Sequence, residues 1–189
     1  MKEQYHHGNL KSELIEAGIR IISEEGFEKL SLRNISKQCG VSHNAVYRHF
    51  SSKEQMIDCC REHVTAGLTD DLQKAAEGLD WSAPDTVHAL GYAYIDFYRE
   101  HPFYFSFLYR SSSVKIIFSM EKIAGNYPPF EVFREICCVM AEHNGMTKEE
   151  ALKRLVKYWS LMHGVISLLV SPNVELDGEW KDYLKDIFL

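Results

Sequence analysis

An all-α fold is predicted by three features of the 189-residue sequence. Apolar residues recur at helical spacing through most of the chain. Strand-like alternation is absent, and no Asn-Gly or Asp-Gly pair sits between alternating segments as a hairpin turn. The one Asn-Gly, Asn144-Gly145, lies between two helical patterns and reads as a helix end.

The elements follow in order from start and stop signals. Asn9 reads as the N-cap of a first helix that ends at Gly26, with Leu10, Leu14, Ala17, Ile21 and Ile22 forming its apolar stripe. A second helix begins after Ser31, buries Leu32, Ile35 and Cys39, and stops at Gly40. A third begins after Ser42 and turns Ala45, Val46 and Phe50 inward. Ser51 and Glu54 have capping-box spacing and open a long fourth helix through Met56, Ile57, Cys60 and Val64 to Ala76. A break at Gly78–Pro84 precedes an aromatic-rich helix from Thr86 to Glu100. His101-Pro102 interrupts it, and Pro102 restarts a short helix at its first turn. Tyr127-Pro128-Pro129 breaks any helix in residues 111–130, and the helical pattern resumes from Phe130 to Glu142. Thr147 and Glu150 form a second capping box before a long apolar helix from Ala151 to Val170. Pro172 ends it, and Val174–Leu189 reads as a final amphipathic helix.

Hydrophobic residues make up 46% of the chain and charged residues 25%, the balance of an ordinary globular protein with a filled core. No apolar run approaches the ~18 residues of a membrane span, and the N-terminus lacks the apolar core of a signal peptide. The expectation is a cytoplasmic protein with no membrane partner. Five cysteines include two neighbouring pairs, Cys59-Cys60 and Cys137-Cys138, and none has Cys-x-x-Cys spacing. They read as small buried hydrophobes in a reducing compartment, with no metal site. The formal charge of −6 is unevenly placed. Residues 1–60 carry eight Lys/Arg, eight Asp/Glu and four of the nine histidines, so the whole negative excess lies beyond residue 60. A neutral, His-rich front and an acidic back suit a protein that touches a polyanion at one end only.

The front half holds the informative spacing. Between Ser31 and Phe50, Ile35, Val41 and Val46 are apolar where two short helices must pack, and Gly40 occupies the turn between them. Ser42 can cap the second of these helices and leave its first amides open to phosphate. Ser42, His43 and Asn44 then lie at the start of a recognition helix, the part that meets base edges in helix-turn-helix proteins. Asn44 suits a bidentate pair with adenine, and the Ala45 methyl suits a thymine methyl. Tyr47, Arg48, His49 and Lys53 continue that surface as candidate phosphate contacts. Spacing alone leaves two readings open, a DNA-binding pair and an ordinary helical corner with Tyr47 and His49 half-buried.

Tyr5-His6-His7-Gly8-Asn9-Leu10, Gly26-Phe27, Leu30-Ser31-Leu32-Arg33, Gly40-Val41-Ser42, Tyr47-Arg48-His49-Phe50 and Lys53-Glu54 together resemble the N-terminal domain of TetR/AcrR-type transcriptional regulators. The resemblance covers about the first 60 residues. It implies that Arg33, Ser42, His43, Asn44, Tyr47, His49 and Lys53 face DNA, with bases read near His43 and Asn44. The Tyr5-His6-His7 arm would add contacts. His43-Asn44 departs from the smaller residues often found there, which bears on the operator sequence. Trp159-x-x-x-His163-Gly164 resembles the Trp-His-Gly signature of one C-terminal subgroup, and Tyr98-Arg99-Glu100-His101-Pro102 resembles its His-Pro segment.

What the resemblance implies is an N-terminal three-helix helix-turn-helix DNA-binding domain over residues 1–55. A long helix joins it to a C-terminal helical ligand-binding and dimerisation domain over 56–189. Dimerisation through helices at about 147–170 and 174–188 is implied, and a homodimer sets its recognition helices about 34–36 Å apart on a near-palindromic double-stranded operator. In support, Leu152, Leu155, Val156, Trp159, Met162, His163, Ile166 and Leu169 offer more apolar surface than one small monomer covers.

The aromatic run between residues 90 and 120 is mostly core, yet its density fits an effector site for an apolar or aromatic small molecule. Tyr94, Phe97, Tyr98, Phe105, Tyr109 and His163 are the candidate lining residues, with His88, His101 and Arg110 as further polar groups. His163 reads first as a satisfied histidine in the dimer helix. No His-Glu-x-x-His, Gly-x-Ser-x-Gly or phosphate-binding loop appears, so no catalytic residue and no cofactor are assigned. The competing function is a helical small-molecule carrier with a non-functional helix-turn-helix.

Overall fold

The computed structural model describes residues 10–110 and 114–181, with the side chain of Arg110 left aside. The Asn9 cap, the Tyr5-His6-His7 arm and residues 182–189 of the expected last helix lie outside the described residues. Among the described residues there are eight α-helices and no strand: α1 (Leu10–Glu25), α2 (Leu32–Gln38), α3 (His43–Tyr47), α4 (Lys53–Ala76), α5 (Pro84–Glu100), α6 (Pro102–Arg110), α7 (Pro128–His143) and α8 (Lys148–Leu169). They fall into two compact units. One is drawn from residues up to Val64 together with those from Ser106, the other from Thr65–Phe105 and from Val114 onward.

The first unit is built on α1, buried over a wider face than its stripe predicts, because Ile15, Gly18 and Ile19 are withdrawn from water along with Leu14, Ala17, Ile21 and Ile22. Leu32 and Ile35 of α2, Val46 of α3, Phe50, and Met56, Cys60 and Val64 of α4 complete the core. A Cβ on Gly18 would stand 2.9 Å from Cε of Met56 and 3.3 Å from Sγ of Cys60, so the glycine leaves room for these two α4 side chains against α1. Cys39 is half-buried, short of the burial expected from the sequence. The cap of α4 falls one residue later than predicted. Ser52 Oγ accepts from Gln55 N at 3.2 Å, while Ser51 donates its N–H and hydroxyl to Gln55 Oε1 at 2.6 and 2.8 Å. Gln55 therefore takes the N3 place assigned to Glu54, but its side chain closes on Ser51 and not on the Ser52 cap, so the reciprocal box is not formed.

In the second unit α5, α7 and α8 pack together, with Leu68 and Leu72 of α4 buried as well. Prolines mark helix starts here. Pro84 opens α5, Pro102 opens α6, and Pro128-Pro129 stand in the first turn of α7, so the Pro-Pro pair begins a helix where the sequence reading placed a break. The capping box of Thr147 and Glu150 is formed as expected. The irregular stretch before α7 is pinned by Asn126, which accepts from Ile117 N at 2.9 Å and donates to Ile117 O at 3.0 Å and Glu131 Oε1 at 2.7 Å. Arg134, buried, donates to Glu131 Oε2 at 2.6 Å and to the carbonyl of Met120 at 3.3 Å.

Two expectations about the C-terminal helices need correction. Residues 174–179 are not helical; Gly178 adopts φ +104°, a left-handed conformation that ends helical geometry, and helix resumes only at Trp180. On α8, Leu155, Trp159, Met162 and Ile166 are buried within the chain itself, so they do not form an unpartnered face. The exposed apolar residues are Val156 and Leu168, at 38% and 57% exposure.

Candidate nucleic-acid interface

The turn between α2 and α3 is a Schellman motif. Gly40, at φ +64°, donates to the carbonyl of Lys37, and Val41 N donates to Ser36 O at 3.0 Å. This closes the end of α2 without a side chain in the turn. Ser31 and Ser42 cap the two helices, accepting from Asn34 N at 3.1 Å and Ala45 N at 3.2 Å. Asn34 also donates its amide to Lys29 O at 2.8 Å, tying α2 to the 3₁₀ turn at Phe27–Lys29. With Ile35, Val46 and Phe50 fully buried beneath, the short α3 has one orientation on its support.

That orientation exposes most of the predicted DNA-facing residues. Arg33, Ser42, His43, Asn44, Tyr47 and Arg48 are exposed, while Ala45, His49 and Lys53 are half-buried. His43 and Tyr47, one turn apart on α3, meet edge to face with ring centroids 4.7 Å apart at 75°. His49 leans against Phe50 at 6.2 Å. Lys53 is partly committed. Its Nζ donates to the carbonyl of Phe27 at 2.6 Å, leaving two of its three donors for another acceptor. The Phe27 ring stacks at 6.3 Å on Phe107, which is fully buried. No side-chain pattern marks Phe27 as an anchor, because its part is played by a backbone carbonyl that any residue carries.

In the second unit, four of the six candidate effector residues meet around His163. Tyr94 and Phe105 lie 5.6 Å from its ring, and Tyr98 lies 5.0 Å from Tyr94 and 5.3 Å from Phe105. Phe97 packs on Tyr98 at 5.3 Å. Tyr109 belongs to the first unit. Tyr94 and Tyr98 are fully buried, whereas Phe105 and His163 keep partial contact with water. Burial pushes His163 down to about 4, partly opposed by a hydrogen bond to the carbonyl of Trp159, so the imidazole is neutral at pH 7. Trp159, 5.1 Å from His163, joins this cluster in addition to the lining residues expected from the sequence.

A groove of about 320 Å³ between the Met120 segment, α7 and the start of α8 was not anticipated; Met120, Cys138, Met146 and the Lys148–Glu121 ion pair line it. The cysteines divide by depth. Cys60 and Cys137 are buried, and burial pushes both thiols up to about 12; Cys59 and Cys138 are half-buried. Among the described residues no three His, Cys, Asp or Glu side chains converge as a metal site, and no helix is long and apolar enough to cross a membrane.

A capped helix pair with its second helix exposed at the N-terminal end defines the class of helix-turn-helix DNA-binding proteins. The family model of tetR-family bacterial regulatory proteins matches residues 14–59, and that of the tetracyclin repressor-like C-terminal domain matches residues 87–185, just over half the chain. The chain belongs to the TetR family of DNA-binding transcriptional regulators, a family whose members regulate and do not catalyse. It is 32% identical over 80 residues to the nucleoid occlusion factor SlmA of Actinobacillus pleuropneumoniae, an alignment spanning 42% of this chain and 39% of that protein. The chain thus spans about two-fifths of the length of the curated relatives it matches. In fold it is similar to a tetR-family regulatory protein from Rhodococcus RHA1, with TM-score 0.70 at 14% identity, covering 94% of each chain. It is similar also to the ketosteroid transcriptional regulator KstR2 of Mycobacterium tuberculosis, with TM-score 0.68 at 14% identity over 99% of this chain and 97% of that one.

Proposed function

We propose that the protein is a cytoplasmic, ligand-responsive repressor that binds a near-palindromic operator as a homodimer, with residues 1–55 forming the DNA-binding domain and 56–189 the sensing and dimerising one. The observation that carries the reading is the exposed face of α3, where His43, Asn44, Tyr47 and Arg48 stand clear of the core that fixes them. In this reading His43 and Asn44 read base edges, with the Ala45 methyl against a thymine. Arg33, Ser42, Tyr47, Arg48, His49 and Lys53 hold phosphates.

The effector is a small apolar or aromatic molecule received by the cluster of Tyr94, Phe97, Tyr98, Phe105 and His163. A neutral imidazole with a hydroxyl partner inside aromatic walls supports an uncharged ligand with one or two polar groups. Ligand shifts the population toward a spacing of the two recognition helices that the operator does not fit, to the extent of its differential affinity for the two states.

Selection of bound fragments from random duplex DNA tests the first part. The wild type is expected to enrich a near-palindromic motif and the Tyr47→Ala, Lys53→Ala double variant is not. Equal enrichment by both, or by neither, would replace this reading with that of a small-molecule carrier. Addition of saturating effector should release the recovered motif.

A further inference from the structure

We propose that Tyr47 is a positioning residue for His43, so that the choice of one base pair in each operator half-site depends on the Tyr47 ring and not on its hydroxyl. The inference rests on the reading above, in which α3 enters the major groove.

A histidine needs such a partner more than its neighbour does. Asn44 can make two hydrogen bonds to an adenine edge, and a two-point contact orients itself. An imidazole carries its two nitrogens in the plane of the ring and pointing apart, so it forms a single directed bond to a base edge, and the partner changes as the ring turns. His43 is exposed and is the first residue of a five-residue helix, held there by the Ser42 cap. An exposed side chain at such a place ordinarily samples several rotamers, and ordering it on binding costs entropy.

Tyr47 removes that freedom. Helical side chains lean toward the N-terminus, which brings residue i+4 over residue i. Here the two rings meet edge to face, centroids 4.7 Å apart at 75°, the arrangement in which the positive edge of one ring faces the negative face of the other. Tyr47 is itself 50% exposed, a large aromatic left in water where the core gains little from it. Its ring has a use at the surface, and that use is the imidazole beside it. An edge-to-face pair of this kind weights one ring orientation over the others by about two- to tenfold.

The hydroxyl and the ring therefore do separable work. The hydroxyl can reach a phosphate, which adds affinity on every sequence; the ring sets the direction of the His43 hydrogen bond, which adds affinity on one base pair only.

The test is selection from random duplex DNA, followed by affinity measurement on single-base-pair operator variants. The proteins compared are wild type, His43→Ala, Tyr47→Phe, Tyr47→Ala and the His43→Ala, Tyr47→Ala double variant. His43→Ala is expected to flatten the preference at one base pair per half-site. Tyr47→Ala should reduce the preference at that same pair by about two- to tenfold, and the double variant should discriminate no worse there than His43→Ala alone. Tyr47→Phe should bind every operator variant more weakly while keeping the wild-type order of preference. Thermal unfolding of each variant monitors the fold independently of DNA. Tyr47→Ala retaining full discrimination at the His43 pair would overturn the inference. So would Tyr47→Phe flattening that pair as much as Tyr47→Ala, or a loss spread evenly over all positions. If His43→Ala changes no base preference at all, the assignment of His43 to a base fails first, and the positioning role falls with it.

Discussion

The hydroxyl of Tyr94 on α5 lies 3.0 Å from Nδ1 of His163 on α8, joining residues 69 apart in sequence inside an aromatic cluster. The geometry gives His163 a hydrogen-bond partner without a charge to stabilise its protonated form. Burial dominates its titration and brings it down to about 4, against about 6.5 in an unfolded chain. Between those values the unfolded chain binds a proton that the folded chain refuses, so stability rises with pH across that window. The contribution is fully present above about pH 6.5 and lost progressively as pH falls toward 4, by about 3 kcal/mol in total. Urea unfolding at pH 7.5 and 4.5 should show this loss in the wild type and a smaller one in His163→Phe. An unchanged loss would assign the acid sensitivity to other groups. Tyr94→Phe, which removes one hydrogen bond from a neutral imidazole, should cost about 1 kcal/mol at pH 7.5.

Lys53 is anchored to the chain itself, and the proposed function gives it a second role on DNA that mutation separates from the first. Its ammonium is anchored on the carbonyl of Phe27 and retains donors for a phosphate. Lys53→Met should lower operator affinity and reduce the magnitude of the salt slope by about 0.9, the contribution of one phosphate contact. It should also lower stability by about 1–2 kcal/mol, because the carbonyl loses a charged donor. Fluorescence anisotropy over a salt series and thermal unfolding check the two halves. A full salt slope with reduced stability would make Lys53 an anchor only.

Arg134 is the buried charge on which the segment before α7 depends. It joins Glu131, which also accepts from Asn126, to the carbonyl of Met120. Arg134→Ala takes the charged donor from a partly buried carboxylate, which keeps only the Asn126 amide, and from the Met120 carbonyl, and breaking a buried pair in this way costs about 3–5 kcal/mol. The melting temperature should fall by about 10 °C. The Arg134→Met, Glu131→Gln double variant should lose less than Arg134→Ala, since neither charge is then left alone. Equal losses would mean that packing, and not the ion pair, fixes the segment.

What could be read in advance was local. Ser31, Ser42 and Gly40 act through bonds to backbone atoms within five residues, and Thr147 with Glu150 acts within three, so sequence spacing predicts them. Pro102 announces the start of α6 for the same reason, whereas Pro84 and Pro128-Pro129 open helices where the sequence pattern suggests a break. The cap of α4 slipped by one residue because Ser51 and Ser52 are both able to cap, and the choice turns on Gln55 rather than on Glu54. Asn126 was illegible because its partner Ile117 lies across an irregular segment with no periodicity to read. The division of α8 into inward and outward residues was blurred by its composition. Apolar residues stand on both faces, and only the packing of α5 and α7 shows that Trp159 and Ile166 are inside and Val156 and Leu168 outside.

That outer face of α8 gives the proposed dimer its most direct test. Val156, Ser160, Gly164 and Leu168 follow one another at four-residue intervals, all exposed. A Cβ built on Gly164 meets nothing within 4 Å, so the position opens onto free space at the helix surface. Replacing a mid-helix glycine should even stabilise α8 by several tenths of a kcal/mol. If a second copy packs on this row, however, a leucine at its centre forces the two helices apart where a glycine let them approach. Gly164→Leu should therefore keep or raise the melting temperature measured at low concentration, yet weaken self-association by tenfold or more in sedimentation velocity. Operator affinity should fall in parallel, since half-site spacing depends on the dimer. A variant that dimerises as the wild type does would move the interface off this row and leave Val156 and Leu168 as scattered surface apolar residues, which need no partner.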